Sequence, residues 1–448
     1  MTQTSSLRHA LLWSVVAVGV SVCPSFAADR ETKVRDDRKQ FELNDHWIYN
    51  DLPKAFAEGQ KKDKPILVVF RCIPCEACST FDEQVVARDP RIRRLMDQFV
   101  CVRVPQANGM DLSRYQFDYD MSLAVFLMRA DGTIYGRFGT RSGRTDDDHE
   151  MTIDGFGKAL VRAIEMHDDF DRYRTQLAGK RGADVDVKKP EEHSWLKGKY
   201  TDRLDYEGEV AKSCIHCHQV REAQRVTLRK SGQPVPDDVI FPWPNPSVIG
   251  LKLDPGECAT VKEVIAGSPA EAAGFQVGDQ IEQIGGQHPI SIADVQWVLQ
   301  TARDGTDVKA AVRRSSNDKP VSLVLSLPAG WRRAADISWR ATTWDMRRMT
   351  LGGMVLEPAT QEKRDELQIP AGKLAMRVKH VGQFGNHAMA KQAGLLKEDI
   401  LIEFNGDATK RSEAEIIAAT MNGKRPGEKV SVVVLRNSKR FSFEIRVQ

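Results

Sequence analysis

Apolar positions along this chain fall into short runs whose period changes from segment to segment. Ile66-Leu67-Val68-Val69-Phe70 is an unbroken apolar run, which predicts a strand buried on both faces. Phe99-Val100-Cys101-Val102 predicts a second strand. Val125-Phe126-Leu127-Met128, followed by Asp131-Gly132, predicts a third that ends in a hairpin turn. Elsewhere the spacing is helical. Phe81, Val85 and Val86 share one face, as do Phe156, Leu160, Val161 and Ile164, with a weaker continuation through Phe170, Tyr173 and Leu177. Gly179-Lys180-Arg181-Gly182 and the charged run to Glu192 read as a linker. Five prolines between positions 234 and 246 read as a rigid connector.

Beyond that connector one pattern occurs twice. Ile249-Gly250-Leu251, Gly267-Ser268-Pro269-Ala270, Ala273-Gly274 and Gly278-Asp279-Gln280-Ile281 make the first copy. Leu351-Gly352-Gly353, Ala388-Met389-Ala390, Ala393-Gly394 and Glu398-Asp399-Ile400 make the second, which closes on a strand after Pro426-Gly427. The pattern therefore predicts a multidomain chain. An α/β domain over 40–178 is followed by a cysteine-bearing segment with its connector over 193–246. Two α+β units follow, over 247–328 and 350–448. Between those units lies a stretch with Trp331, Trp339, Trp344 and several arginines, read as interdomain packing.

Composition changes this picture in two places. Arg8-His9, an apolar stretch over 10–22 and Pro24-Ser25-Phe26-Ala27 form a charged, apolar and small-residue succession, so residues 1–27 read as a secretory signal cleaved after Ala27. No later apolar run approaches the ~20 residues a membrane helix requires. The expected product is exported, periplasmic or extracellular, without stable membrane insertion. The formal net charge of +3 points to neither nucleic acid nor an anionic surface as an obligate partner. Of the eight cysteines, seven lie beyond Ala27, in a compartment that permits disulfides.

Those cysteines carry the candidate chemistry. Cys72, Cys75 and Cys78 form two overlapping C-x-x-C pairs after the strand at 66–70. At a strand-to-helix junction Cys75 meets the helix's unpaired N–H groups, which favour a thiolate, and Cys78 one turn on can resolve a mixed disulfide. Cys75 and Cys78 are the expected catalytic pair, rather than Cys72; metal binding by all three lacks an evident fourth ligand. Cys214-Ile215-His216-Cys217-His218 is the C-x-x-C-H signature of c-type haem, in which Cys214 and Cys217 add to the vinyl groups and His218 reaches the iron. His193, Met346, Met349 and Met354 are candidates for the other axial position. Structural zinc, with His193 as the nearest further ligand, or a plain disulfide are the alternatives. Cys101 reads as a core thiol and Cys258 has no assignable role.

Trp47, Asp51-Leu52, Lys54-Ala55, Lys64-Pro65 with the strand after it, and Cys75-x-x-Cys78 resemble a thioredoxin-like domain. Three departures touch its activity. Leu123 stands where thioredoxins hold a cis-proline, Val69 where they bury a carboxylate, and Glu76 lies between the cysteines. The repeated S-P-A-x-x-A-G-x-x-x-G-D-x-I pattern resembles PDZ domains of the bacterial type, with Glu398 replacing a glycine in the second. By that resemblance Ile249, Gly250 and Leu251, and likewise Leu351, Gly352 and Gly353, would form loops that capture a peptide's terminal carboxylate. Bacterial PDZ pairs often accompany trypsin-like serine proteases, yet no G-x-S-x-G stretch occurs and a serine protease is not expected. The order of these parts resembles an exported planctomycete-type family of thioredoxin-like/PDZ (seleno)proteins.

The expectation is an exported thiol–disulfide redox protein with haem c at Cys214, Cys217 and His218. It would select protein or peptide C-termini through its PDZ modules and meet a redox partner protein through its cysteines. The alternative is a non-enzymatic peptide-binding scaffold whose thioredoxin-like domain is structural.

Overall fold

The computed structural model describes residues 25–73, 89–139 and 151–448. Its first unit is a five-stranded sheet in the order β1-β3-β2-β4-β5. The strands are β1 (Trp47–Tyr49), β2 (Ile66–Arg71), β3 (Val100–Val104), β4 (Leu123–Met128) and β5 (Ile134–Phe138). β3 runs parallel to β1 and β2, whereas β4 and β5 are antiparallel to their neighbours. Every residue of β2, β3 and β4 is buried, as continuous apolar runs covered on both faces require.

The helices of this unit start on caps written in the sequence. Asp51 accepts from Lys54 N ahead of α2 (Leu52–Lys62), and Asp89 accepts from Arg91 N and Ile92 N ahead of α3 (Pro90–Met96). Thr152 caps α4 (Ile153–Asp168), which packs Phe156, Leu160 and Ala163 on the sheet. A further helix, α1 (Ser25–Glu42), covers the β3 side, where Asp37 and Arg103 form a buried ion pair at 2.7 Å. Residues 1–24 lie outside the described part. The expected cleavage point after Ala27 falls in the first turn of α1, a helix that the leader-like composition did not suggest.

The repeats are two β-units with the same internal brace. In the first, β6 (Leu251–Leu253) pairs β7 (Val261–Val264), and β8 (Gln280–Ile284), β9 (Asp307–Arg314) and β10 (Asn317–Ser326) form a second sheet. α6 (Ile292–Thr301) lies in the same unit. In the second, β11 (Met354–Pro358), β12 (Met376–Val381), β13 (Ile400–Phe404), β14 (Lys429–Arg436) and β15 (Lys439–Arg446) form one antiparallel sheet in that order. α8 (Glu413–Gly423) completes it. Asp279 is held by Arg314 in the first unit and Asp399 by Arg436 in the second, each at 2.7 Å from Nε. The aspartate of the repeated turn is thus a buried anchor in both.

Between these units and the first lies α5 (Cys217–Lys230), and α7 (Thr343–Leu351) leads into the second repeat. Residues 179–182 are not a loose linker. Lys180 is fully buried, and its Nζ donates to Asp294 Oδ2 at 2.7 Å and to Tyr135 O at 2.5 Å. Arg137 N donates to Asp294 Oδ1 at 3.0 Å, so the N-terminal turn of α6 closes the open edge of β5. Residues 181–189 of the expected linker form no helix or strand, whereas the single buried Lys180 carries no periodicity that the sequence could show.

Candidate functional site: a cysteine–histidine cluster between units

Cys72 follows β2 directly, and its N–H donates to Ser122 O at 2.9 Å, ahead of β4. That pins Cys72 beside Leu123, which is 2 % exposed and pairs with Arg71. Cys75, Glu76 and Cys78, the expected catalytic pair and the residue between them, lie outside the described residues.

The C-x-x-C-H segment is fastened to the same end of the sheet. Ile215 N donates to Asn108 Oδ1 at 2.7 Å, Asn108 Nδ2 donates to Ser213 O at 2.9 Å, and Ala107 N donates to Ile215 O at 3.0 Å. His216 N donates to Gln219 Oε1 at 2.8 Å, which starts α5 with Cys217 as its first residue. This stapling brings His216 Nδ1 to 3.2 Å from Cys72 Sγ, across 144 residues of sequence. Cys214 and Cys217 lie close enough for Cys72 to act on the charge of both. The rings of His216 and His218 are stacked, 5.6 Å between centroids and 16° between planes.

Burial governs the charges here. It pushes the Cys214 thiol up to about 12, with Cys72 adding to the rise, and it raises Cys217 further with Cys72 and Cys214 as the next causes. It lowers His216 to about 4, helped by His218 and Arg30, so the imidazole is uncharged at neutral pH. Burial also opposes charge on His218, but the Glu222 hydrogen bond, 3.1 Å from Nδ1, outweighs it and raises that group. The arrangement sets the Cys72 sulfur in hydrogen-bond contact with His216, the residue between Ile215 and Cys217, where a proton can pass between the two. Thiolates formed at Cys214 or Cys217 in this burial are costly.

For haem, the histidine fits better than the thiols. Glu222 holds His218 Nδ1, leaving Nε2 as the ring nitrogen for a ligand. Cys214 and Cys217 are only 4 % and 8 % exposed, and Cys217 packs with Ile215, Val220 and Ala223 in the core of the first unit. A porphyrin joined to both would require this packing to open. Met346, Met349 and Met354 are buried in a different apolar cluster, that of the second repeat. His193 is buried with both ring nitrogens lacking a hydrogen-bond partner among the described residues. Among those residues no group of three or more His, Cys, Asp and Glu side chains could hold a metal ion, so the zinc alternative finds no ligand set there.

The remaining cysteines lie apart from this cluster. Cys101 is buried in β3, where burial raises its thiol well above the ordinary range. Cys258 lines a surface cavity of about 660 Å³ against α3 and α4.

Each expected carboxylate loop follows directly on a helix end, and in the second it is closed. Gly250 adopts a left-handed φ of 82° and its N–H donates to Ser247 O at 2.9 Å. Ile249 and Leu251 are fully buried, and β6 has β7 on one edge and no strand on the other among the described residues. Gly353 has φ 85°, and a Cβ there would overlap the His387 carbonyl. Its N–H donates to Arg347 O at 3.0 Å, and Gly352 caps α7 on the same carbonyl, so neither N–H is open to a peptide carboxylate as expected. Leu351 is the buried last residue of that helix. The sequence reading passed over Cys72 in favour of Cys75. It also read His216 only as the spacer of its motif, because Cys72 lies 144 residues away and nothing near position 216 marks the contact.

Comparison with known proteins agrees with the two kinds of unit. A profile described as Thioredoxin-like matches residues 47–130, and profiles described as PDZ domain match 260–314 and 384–447. The chain is 28 % identical over 157 residues to the periplasmic pH-dependent serine endoprotease DegQ of Escherichia coli (strain K12), covering 35 % of this chain and 30 % of that protein. It is 30 % identical over 156 residues to a probable periplasmic serine endoprotease DegP-like of Pseudomonas putida (strain GB-1), covering 35 % and 31 %. The chain thus spans under a third of the length of these relatives. A solved structure of the HtrA-type protease AlgW with decapeptide matches at 19 % identity over 32 % of this chain and 41 % of that one, with a TM-score of 0.20. Both curated relatives are periplasmic proteins, and no helix among the described residues is long and apolar enough to cross a membrane, which is compatible with export. The chain is a multidomain α/β protein that carries one thioredoxin-like domain and two PDZ domains.

Proposed function

We propose that this is an exported thiol–disulfide exchange protein acting on the disulfides of partner proteins. The observation that carries the reading is the placement of Cys72 Sγ against His216, beside Cys214 and Cys217. Cys75 opens a partner's disulfide by forming a mixed disulfide, and Cys78 displaces the partner as a thiol. Cys72 links that motif to the C-x-x-C-H pair. Its sulfur attacks the Cys75–Cys78 disulfide left by that step. Cys214 or Cys217 then attacks the Cys72 sulfur of the mixed disulfide, and the other of the two closes a Cys214–Cys217 disulfide and frees Cys72. At each exchange one S–S bond forms as another breaks, and the proton of the attacking thiol passes to the sulfur that leaves. His216 is placed to carry that proton. Oxidising equivalents are conserved throughout, because each step exchanges one disulfide for another. Thus the relay needs no oxidant beyond the partner's disulfide. Partner choice falls to the first PDZ module, whose β6 edge is open. The order of parts supports membership of the planctomycete-type thioredoxin-like/PDZ family.

The test is exchange with a mixed-disulfide probe on the full chain. Cys75→Ser abolishes it, and Cys101→Ser leaves it nearly intact because Cys101 is buried away from the cluster. Equal losses in the two variants overturn the assignment and leave the scaffold reading.

A second reading has haem c bound covalently at Cys214 and Cys217 with His218 toward the iron. The Glu222 hydrogen bond that frees His218 Nε2 favours it, and the burial of both thiols opposes it.

A further inference from the structure

In the second PDZ domain β11 is an edge strand of the sheet, and α8 lies against it. A peptide entering by strand addition pairs with the backbone of such a strand and sets its carboxylate on the N–H groups of the preceding loop. A group of each set is already used. Leu356 N in β11 donates to Glu413 Oε1 of α8 at 2.8 Å. Glu413 is in turn gripped from α7 by Arg347, whose Nε reaches Oε1 at 2.9 Å and whose Nη2 reaches Oε2 at 2.5 Å. Arg347 is fully buried and Glu413 is 6 % exposed, so this is an interior pair rather than a surface contact. The loop N–H of Gly353 meets the Arg347 carbonyl. Met346, Met349 and Leu351 of α7 share one apolar cluster with Leu356, Ile416 and Ile417 of the module.

The other end of α7 reaches the cysteine cluster. Thr342, just before the helix, donates from N to Asp120 Oδ1 and from Oγ1 to Asp120 Oδ2, both at 3.0 Å. Arg340 donates to both oxygens of Asp118 at 2.6 and 2.7 Å. Asp118 and Asp120 belong to the loop that ends at Ser122, whose carbonyl holds the Cys72 N–H. α5 runs alongside. It starts at Cys217, Arg225 Nη1 reaches Thr342 O at 3.3 Å, and Arg229 Nη1 reaches Met421 O at the end of α8 at 2.8 Å.

We propose that α7 is the resident ligand of the second PDZ domain, which thereby serves as an internal clamp on the 118–122 loop behind Cys72 and not as a receptor for partner peptide ends. The inference rests on the exchange reading only for its purpose. None of its measurements reads exchange activity, so either can fail alone.

The test uses the full chain, its Glu413→Ala and Glu413→Gln variants, amide hydrogen exchange and thiol labelling. In Glu413→Ala, Leu356 loses its acceptor, and its amide exchanges at least about tenfold faster. Thr342 exchange and Cys217 labelling quicken with it, because the clamp has loosened. Glu413→Gln keeps an acceptor for Leu356 and a fold to measure, so it lies between the two. Labelled peptides ending in Leu, Val or Phe with a free carboxylate do not cross-link to β11 or α8 of the unaltered protein. Saturable cross-linking there overturns α7 as the resident ligand. Faster Leu356 exchange with Thr342 and Cys217 unchanged in both variants overturns the clamp.

Discussion

Arg340 offers the sharpest test of how the units are joined. Its guanidinium is 4 % exposed, and it meets two carboxylates that are also buried, Asp118 at 2.6 Å and Asp120 at 3.2 Å, together with Pro242 O at 2.7 Å. Arg340→Met keeps the apolar stem but leaves two interior carboxylates without their cation. Removing one partner of a buried pair costs about 3–5 kcal/mol. For a domain of 150–250 residues each kcal/mol moves the midpoint by about 2–4 °C, so the transition falls by about 6–20 °C. The loss depends on pH in a set direction. Burial favours the protonated form of Asp118, and in Asp120 Arg340 and Arg225 outweigh burial and hold the carboxyl below its usual value. Without Arg340 both carboxyls rise from their values in the unaltered protein, so the folded variant holds its protons more readily and the penalty shrinks as pH falls. Calorimetry of the unaltered protein and the variant at pH 4 and pH 7 measures this. A midpoint shift below about 2 °C, or one equal at both pH values, refutes the reasoning.

Lys180→Met strands Asp294 in the interface between the thioredoxin-like domain and α6, and denaturant unfolding should show a loss of about 3–5 kcal/mol, part of it regained in Lys180→Met/Asp294→Asn, which removes the stranded charge and keeps an acceptor for Arg137 N. In natively exported protein from a host with haem-attachment machinery, the peptide holding Cys214 and Cys217 should carry no porphyrin mass after denaturation. A covalent increment there transfers the motif to the haem reading. Calorimetric titration of the full chain with a peptide selected on the first PDZ domain should lose about tenfold in affinity when the peptide's terminal carboxylate is amidated. Indifference to amidation would mean that this module too only packs.

What the sequence disclosed is set by how local each signal is. β2, β3 and β4 were readable because strands covered on both faces are apolar over most of their length, Arg71 and Arg103 apart, and the paired repeats because each needs the same Asp279 or Asp399 turn. The arginines that hold those aspartates, Arg314 and Arg436, come from strands 35 and 37 residues away and leave no mark near the motif. The contact of Cys72 with His216 spans 144 residues and depends on Asn108 fixing the backbone on both sides of Cys214, which neither motif announces. Leu351-Gly352-Gly353 read as a carboxylate loop because left-handed glycines serve a helix end equally well. Only the carbonyl of Arg347 tells the two apart.

Disulfide mapping in the full-length Cys75→Ser/Cys78→Ser variant measures the juxtaposition of Cys72 with the C-x-x-C-H pair most directly. The reduced protein is treated with an equimolar small-molecule disulfide, quenched in acid, digested, and its peptides are weighed without reduction. The placement of Cys72 predicts a linked pair joining the peptide that holds Cys72 to the one that holds Cys214 and Cys217, and its loss in His216→Ala, where the imidazole beside Cys72 is gone. A digest in which Cys214 and Cys217 pair only with each other, while Cys72 carries only the added reagent, contradicts it.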